Sequence, residues 1–178
     1  HKGSWYKSIS AEAYTKHGLN CHGIIFDELH TQQNRELWDV LTTSVGARRQ
    51  PVIISLTTAG HDRSSICYEM HEYSEAVING TIKDETFLPV LYKAEPDDEW
   101  TSPKTWKKAN PGYGTICNEA YFKDAVKKAK SNPSMINSFL RLHLNIWTSA
   151  ETAWIPDDIY MRGAKEIPFD RLPSLPAY

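Results

Sequence analysis

Three cysteines in 178 residues, Cys21, Cys67 and Cys117, with no Cys-x-x-Cys pair, argue against a disulfide framework and fit reduced thiols. His17, Cys21, His22 and His30 are zinc-ligand types, yet their spacing matches no common zinc pattern, and Cys21 reads as a small buried residue at a strand entry. No charge of one sign dominates. Twenty Lys+Arg against 22 Asp+Glu leave a net charge of −2, which excludes a domain that coats nucleic acid by bulk charge. Long apolar runs are missing as well: the longest, such as residues 52–56, fall far short of the roughly 20 residues that span a bilayer. No signal-peptide pattern opens the chain, so a cytoplasmic protein without a membrane partner is expected. The first residue is His1 rather than Met and the last stretch is Pro-rich, so both ends are expected to be cuts.

What is present suffices for a core. Hydrophobic residues make up 40% and charged residues 24%, the composition of one globular domain or slightly more. Residues 21–26 form a short apolar run that predicts a strand buried on both faces. Residues 33–45 place Leu37, Val40, Leu41 and Val45 at helical spacing, with Gly46 as the stop. A second buried strand is expected after Pro51, over residues 52–58. A helix over residues 63–79 follows, with Ile66, Met70, Tyr73 and Val77 on one face and Gly80 at its end. Residues 87–92 read as a third strand. Alternating apolar strands and helices predict an α/β fold, a parallel sheet with helical crossovers, over residues 1–100.

The composition then changes. Residues 81–100 carry two Lys against six Asp+Glu, and residues 101–133 carry seven Lys against two. A short helix over residues 103–110 ends at Asn110-Pro111-Gly112, and amphipathic helices are expected over residues 119–130 and 133–147. Residues 101–150 therefore read as a small helical subdomain. Residues 151–178 hold four of the ten prolines and read as an extended linker.

The sharpest chemical feature is an apolar strand that ends in Asp27-Glu28. Ligands of parallel sheets bind at the carboxyl ends of the strands, where these two carboxylates fall. In P-loop nucleotidases an Asp in this place holds the Mg²⁺ that bridges the phosphates, and a following Glu can accept a proton from the attacking water. Strands also end in acidic residues that only solvate a loop. The next strand ends in Thr57-Thr58-Ala59-Gly60, which puts hydroxyls beside Glu28 or else forms a plain helix cap. Arg48 and Arg49 enter that strand and offer guanidinium groups for phosphate charge, or a solvated basic loop. Lys107, Lys108, Lys127, Lys128 and Lys130 offer charge to a DNA backbone or simply solvate helix faces. His143 and the six tryptophans read as packing residues. One element is lacking. A phosphate loop needs Gly-x-x-x-x-Gly-Lys-[Ser/Thr], and the one glycine pair at that spacing, Gly18 and Gly23, is followed by Ile24.

In order along the chain, Thr15-Lys16-His17-Gly18-Leu19-Asn20, Ile25-Phe26-Asp27-Glu28-Leu29-His30 and Glu36-Leu37-Trp38-Asp39-Val40-Leu41-Thr42-Thr43 resemble the large terminase subunit of tailed bacteriophages. Gly46-Ala47-Arg48-Arg49-Gln50-Pro51, Thr57-Thr58-Ala59-Gly60, Lys108-Ala109-Asn110-Pro111 and Phe139-Leu140-Arg141-Leu142-His143-Leu144-Asn145 continue the likeness. The resemblance implies a P-loop ATPase that drives double-stranded DNA into a capsid, and a nuclease that cuts the concatemer. It implies Asp27 as Mg²⁺ ligand, Glu28 as catalytic carboxylate and Thr57, Thr58 and Gly60 as a coupling motif. It also implies Arg48 or Arg49 as a trans-acting finger, residues 101–150 as a lid or linker and residues 151–178 as the lead to the nuclease. ATP and Mg²⁺ would be the cofactors. Portal protein, the small terminase subunit and a homo-oligomeric ring of large subunits would be the partners, in the host cytoplasm. With no phosphate loop and no nuclease carboxylate set, the chain is expected to be an internal fragment inactive by itself. A DExH-type helicase fragment, suggested by Asp27-Glu28-Leu29-His30, and a non-catalytic docking module are the alternative readings.

Overall fold

The computed structural model describes residues 3–10, 18–32 and 34–150. The expected linker over residues 151–178, Trp154 and the first half of the Thr15–Asn20 motif lie outside the described residues.

The β-branched and aromatic run becomes strand β1, Gly23–Asp27, and the run after Pro51 becomes β2, Val52–Leu56. The two pair in parallel, Gly23 opposite Val52 and Asp27 opposite Leu56, so their carboxyl ends lie side by side. Helix α1, Glu36–Thr43, makes the crossover that a parallel pair requires. It is shorter than the apolar pattern suggests and ends at Ser44, whose N–H bonds back to Leu41. Phe26 and Trp38 rings, 4.8 Å apart, clamp it to β1.

Helix α2, Ile66–Ile78, starts at Ser65, whose hydroxyl accepts from the Tyr68 N–H, and closes at Gly80 with φ +73°. Only glycine adopts that left-handed conformation without strain. The first core consists of Ile24, Phe26, Leu29, Leu37, Leu41, Ile66 and Cys67, all buried between sheet and helices.

Helices α3, Pro103–Ala109, α4, Glu119–Ser131, and α5, Ile136–Leu144, build the second unit. Ser102 and Asn118 cap α3 and α4 by accepting from backbone N–H groups, and Pro103 sits in the first turn where its missing donor costs nothing. A separate core of Trp106, Phe122, Val126, Phe139, Leu144 and smaller residues holds them together. Two distinct cores thus follow one another along the chain, with Ala94 already in the second. The acidic stretch meets the basic one through Asp98 and Lys108, 2.6 Å apart.

Three further expectations need correction. Neither strand is covered on both faces: Ile25 is 56% exposed, and every residue of β2 is exposed. The reason is that the sheet has two strands among the described residues, so no neighbour shields β2. Residues 87–92 are not a strand. They run along a cavity of about 910 Å³ that separates them from β2, and their end is taken up by α5: Asn145 donates to the Tyr92 carbonyl (2.8 Å) and the Ala94 N–H donates to Leu144 (2.9 Å). Finally, the last helix stops at Leu144 rather than running to 147, because Asn145 turns left-handed with φ +54°. A short 3₁₀ turn, Pro133–Met135, precedes it.

Candidate functional site

The parallel register fixes the site. Asp27 ends β1 beside Leu56, so Glu28 and the Thr57-Thr58-Ala59-Gly60 turn emerge from the same edge of the sheet. Asp27 is exposed, and its carboxylate has no ion-pair or hydrogen-bond partner among the described residues. A single uncommitted carboxylate suits Mg²⁺, which keeps several waters and takes one or two protein carboxylates besides phosphate oxygens. The donor set therefore fits the group that the sequence suggests.

Glu28 has φ +53°, ψ 52°, a left-handed conformation uncommon outside glycine. The bend starts a 3₁₀ turn, Leu29–Thr31, pinned when the Thr31 N–H and hydroxyl both donate to the Glu28 carbonyl (2.9 and 2.8 Å). It swings the Glu28 carboxylate back toward His30, whose Nδ1 lies 3.1 Å from Oε2. The His30 N–H donates to Thr57 Oγ1 (3.0 Å), and Nδ1 lies 3.1 Å from the same hydroxyl. Structure thus brings Asp27, Glu28, Thr57 and Thr58 to one edge, with His30 between acid and hydroxyls. Beneath them Cys67 is buried, its Sγ 3.7 Å from Thr57 Oγ1, and burial pushes this thiol above its usual range.

Arg48 and Arg49 are not part of this cluster. They precede β2 and so occupy the opposite, amino end of the parallel strands. Arg48 donates twice to the Asn20 carbonyl (3.2 and 2.7 Å), whereas Arg49 is exposed and without a partner among the described residues. The lysines read as DNA contacts are in part paired: Lys108 with Asp98 and Lys128 with Asp124.

Sequence reasoning missed the connection from this edge to the helical unit. The Ala59 N–H donates to the Asn145 side-chain oxygen (3.3 Å), and the Thr148 N–H donates to the Gly60 carbonyl (3.5 Å). Arg141, buried on α5, places Nη1 2.7 Å from His61 Nδ1. Gly60 itself lies under the Trp147 ring, which packs edge-on against Tyr68. An added Cβ at Gly60 would meet Trp147 at 3.0 Å, so the ring would have to shift by a few tenths of an ångström. No sequence signal marked it, because the amphipathic pattern runs through Asn145 to residue 147. Gly60→Ala is expected to destabilise the protein by about 1–3 kcal/mol through overpacking, read as a lowered melting temperature. A melt unchanged from wild type would mean that Trp147 gives way freely.

Acidic groups and hydroxyls gathered at the carboxyl ends of a parallel sheet are the arrangement of the α/β proteins that bind ligands at strand ends. Two family models match this chain: the terminase large subunit ATPase domain over residues 2–76, and the terminase large subunit endonuclease domain over residues 81–170, about half of the chain. The chain belongs to the terminase large subunit family. It is 32% identical over 137 residues to protein YmfN of Escherichia coli K12, covering 77% of this chain and 30% of that protein. It is 30% identical over 160 residues to the terminase large subunit of Enterobacteria phage HK97, covering 87% of this chain and 30% of the relative. The crystal structure of the HK97 bacteriophage large terminase superposes with a TM-score of 0.69 at 28% identity, over 80% of this chain and 29% of that one. The chain thus spans about 30% of the length of these relatives.

The endonuclease match begins at residue 81 and takes in α3 to α5, the segment that the sequence reading assigns to a lid or linker. Among the described residues no three His, Cys, Asp or Glu side chains are grouped to hold a metal ion. No helix of the described residues is long and apolar enough to cross a membrane.

Proposed function

We propose that this chain carries the hydrolytic half of a terminase ATPase together with the helices that transmit its state. The observation that carries the reading is the placement of Glu28 and of Thr57 and Thr58 on either side of His30, with the Thr57–Gly60 turn bonded to residues that follow α5. Mg²⁺, held by Asp27, would neutralise phosphate charge when bound. Glu28 accepts the proton of the water that attacks the terminal phosphate of ATP. The Thr57–Gly60 turn, fixed to Asn145 and packed under Trp147, passes the change to the helical unit, which serves as lid or linker. In the longer protein this movement translocates double-stranded DNA into the capsid and precedes cutting of the concatemer. The working assembly would be a homo-oligomeric ring on the portal protein, with the small terminase subunit, in the host cytoplasm. Because a Gly-Lys-[Ser/Thr] loop is lacking in these 178 residues, they are not expected to hydrolyse ATP by themselves.

The amino-end position of Arg48 and Arg49 favours action on a neighbouring subunit over action within the chain, and the uncommitted Arg49 suits the finger better than Arg48. One experiment covers both parts. The longer protein, including its phosphate loop, is expected to hydrolyse ATP faster when double-stranded DNA is added. Subunits defective in the phosphate loop, mixed with Arg49→Ala subunits, should regain part of that rate. No ATP hydrolysis with DNA present would refute the motor reading, and failure to complement would return Arg49 to a solvated loop.

A further inference from the structure

We infer that His30 is a positioning residue for Glu28, tying its carboxylate to the Thr57–Thr58 turn. The inference rests on the ATPase reading above and adds a residue to it. His30 is anchored inward, with a side chain 19% exposed, while the Glu28 side chain is 53% exposed. The backbone N–H of His30 donates to Thr57 Oγ1, and the ring Nδ1 reaches the same oxygen, so His30 meets the turn through both its main chain and its ring.

In the tautomer with the proton on Nδ1, both neighbouring oxygens can accept from it. The Thr57 hydroxyl has one proton, and it goes to the Thr58 carbonyl at 2.8 Å. Toward His30, Thr57 Oγ1 is therefore an acceptor. An ionised Glu28 carboxylate is an acceptor too. Nδ1 lies 3.1 Å from both, so in that tautomer one N–H is divided between Glu28 Oε2 and Thr57 Oγ1. Thr58 Oγ1, at 3.5 Å, is the next oxygen in reach. The other titratable side chain at this hydroxyl is Cys67, with Sγ 3.7 Å from Thr57 Oγ1.

A donor divided between acid and turn makes their positions dependent on one another. When the turn moves with Asn145 and Trp147, the share of Nδ1–H left for Glu28 changes, and so does the direction of its carboxylate. His30 thereby links the helical unit to the acid without touching the reacting atoms.

The test uses the longer protein with its phosphate loop and measures kcat and KM for ATP. His30→Ala removes the donor. His30→Asn returns an N–H near the place of Nδ1. The expected result is that His30→Ala lowers kcat about 10- to 100-fold, the scale of a misplaced reacting group. KM should stay within about twofold, because ATP binding does not use this contact. His30→Asn should recover most of the loss. Thr57→Val, which keeps shape and deletes the acceptor, should lower kcat in the same way, and it decides the matter if His30→Ala does not fold. Unchanged kcat in His30→Ala or Thr57→Val, or an Asn variant no better than Ala, overturns the inference. Glu28→Gln in the same assay separates the two layers. If Glu28→Gln is inactive and the His30 and Thr57 variants are normal, only the positioning role falls. If Glu28→Gln turns over like wild type, the ATPase reading falls and takes this role with it.

Discussion

Replacing Glu28 by Gln in the longer protein is expected to lower ATP hydrolysis roughly 100- to 10,000-fold, the range of general-base catalysis, while ATP binding stays near wild type. The substitution keeps size and hydrogen-bonding reach but removes the carboxylate proposed to take the proton. Its effect on folding should be small, since the Glu28 side chain is about half exposed and its backbone, not its carboxylate, holds the 3₁₀ turn. The left-handed Glu28 backbone is a conformation that persists only where its surroundings impose it, and such residues cluster at working sites. Equilibrium binding of a fluorescent ATP analogue beside steady-state phosphate release checks both halves of the expectation.

The second large effect is on stability. Phe122 is 2% exposed and stands at the centre of an aromatic group: Trp106 at 5.6 Å, Tyr113 at 5.4 Å and His143 at 5.6 Å between ring centroids. Its ring joins α4 to both α3 and α5. Phe122→Ala leaves a void that surrounding rings cannot close, and the expected cost is about 3–5 kcal/mol. Chemical denaturation followed by tryptophan fluorescence would read it, because Trp106 lies against the deleted ring. A loss below about 1 kcal/mol would mean that the helical unit repacks freely and lacks the fixed core described above. His143 belongs to the same group, stacked on Phe139 at 4.7 Å, and burial holds its imidazole below the usual range. It is a packing residue, as the apolar helix face suggests.

Local chemistry made much of this legible in advance. An apolar run ending in Asp27-Glu28 gave away β1 and the acid pair. Gly80, expected as a helix end, closes α2 with its positive φ. Strand 87–92 failed for a different reason. Leu88, Val90 and Tyr92 have the residue types of a strand, but a strand exists only where another edge accepts its hydrogen bonds, and α5 accepts or donates at Tyr92 and Ala94 instead. The same dependence on neighbours explains β2, apolar in sequence and exposed in structure. Exposed apolar residues on β2 and on residues 87–92 line one cavity.

The candidate site divides along the same line. Asp27, Glu28, Thr57 and Thr58 were readable because strand ends in a parallel pair must meet. His30, Asn145 and Trp147 were not, since their contacts join residues 27 to 87 positions apart and depend on a left-handed turn at Glu28 and another at Asn145. Arg48 and Arg49 lie at the opposite end of the sheet from Asp27 and Glu28.

Single-turnover ATP hydrolysis tests the central claim most directly, because it separates the chemical step from product release. The longer protein and its Glu28→Gln variant are each saturated with Mg²⁺ and mixed with a substoichiometric amount of radiolabelled ATP. Wild type is expected to convert bound ATP to ADP and phosphate, while the variant holds ATP intact over the same interval. Equal rates of conversion in both would contradict it.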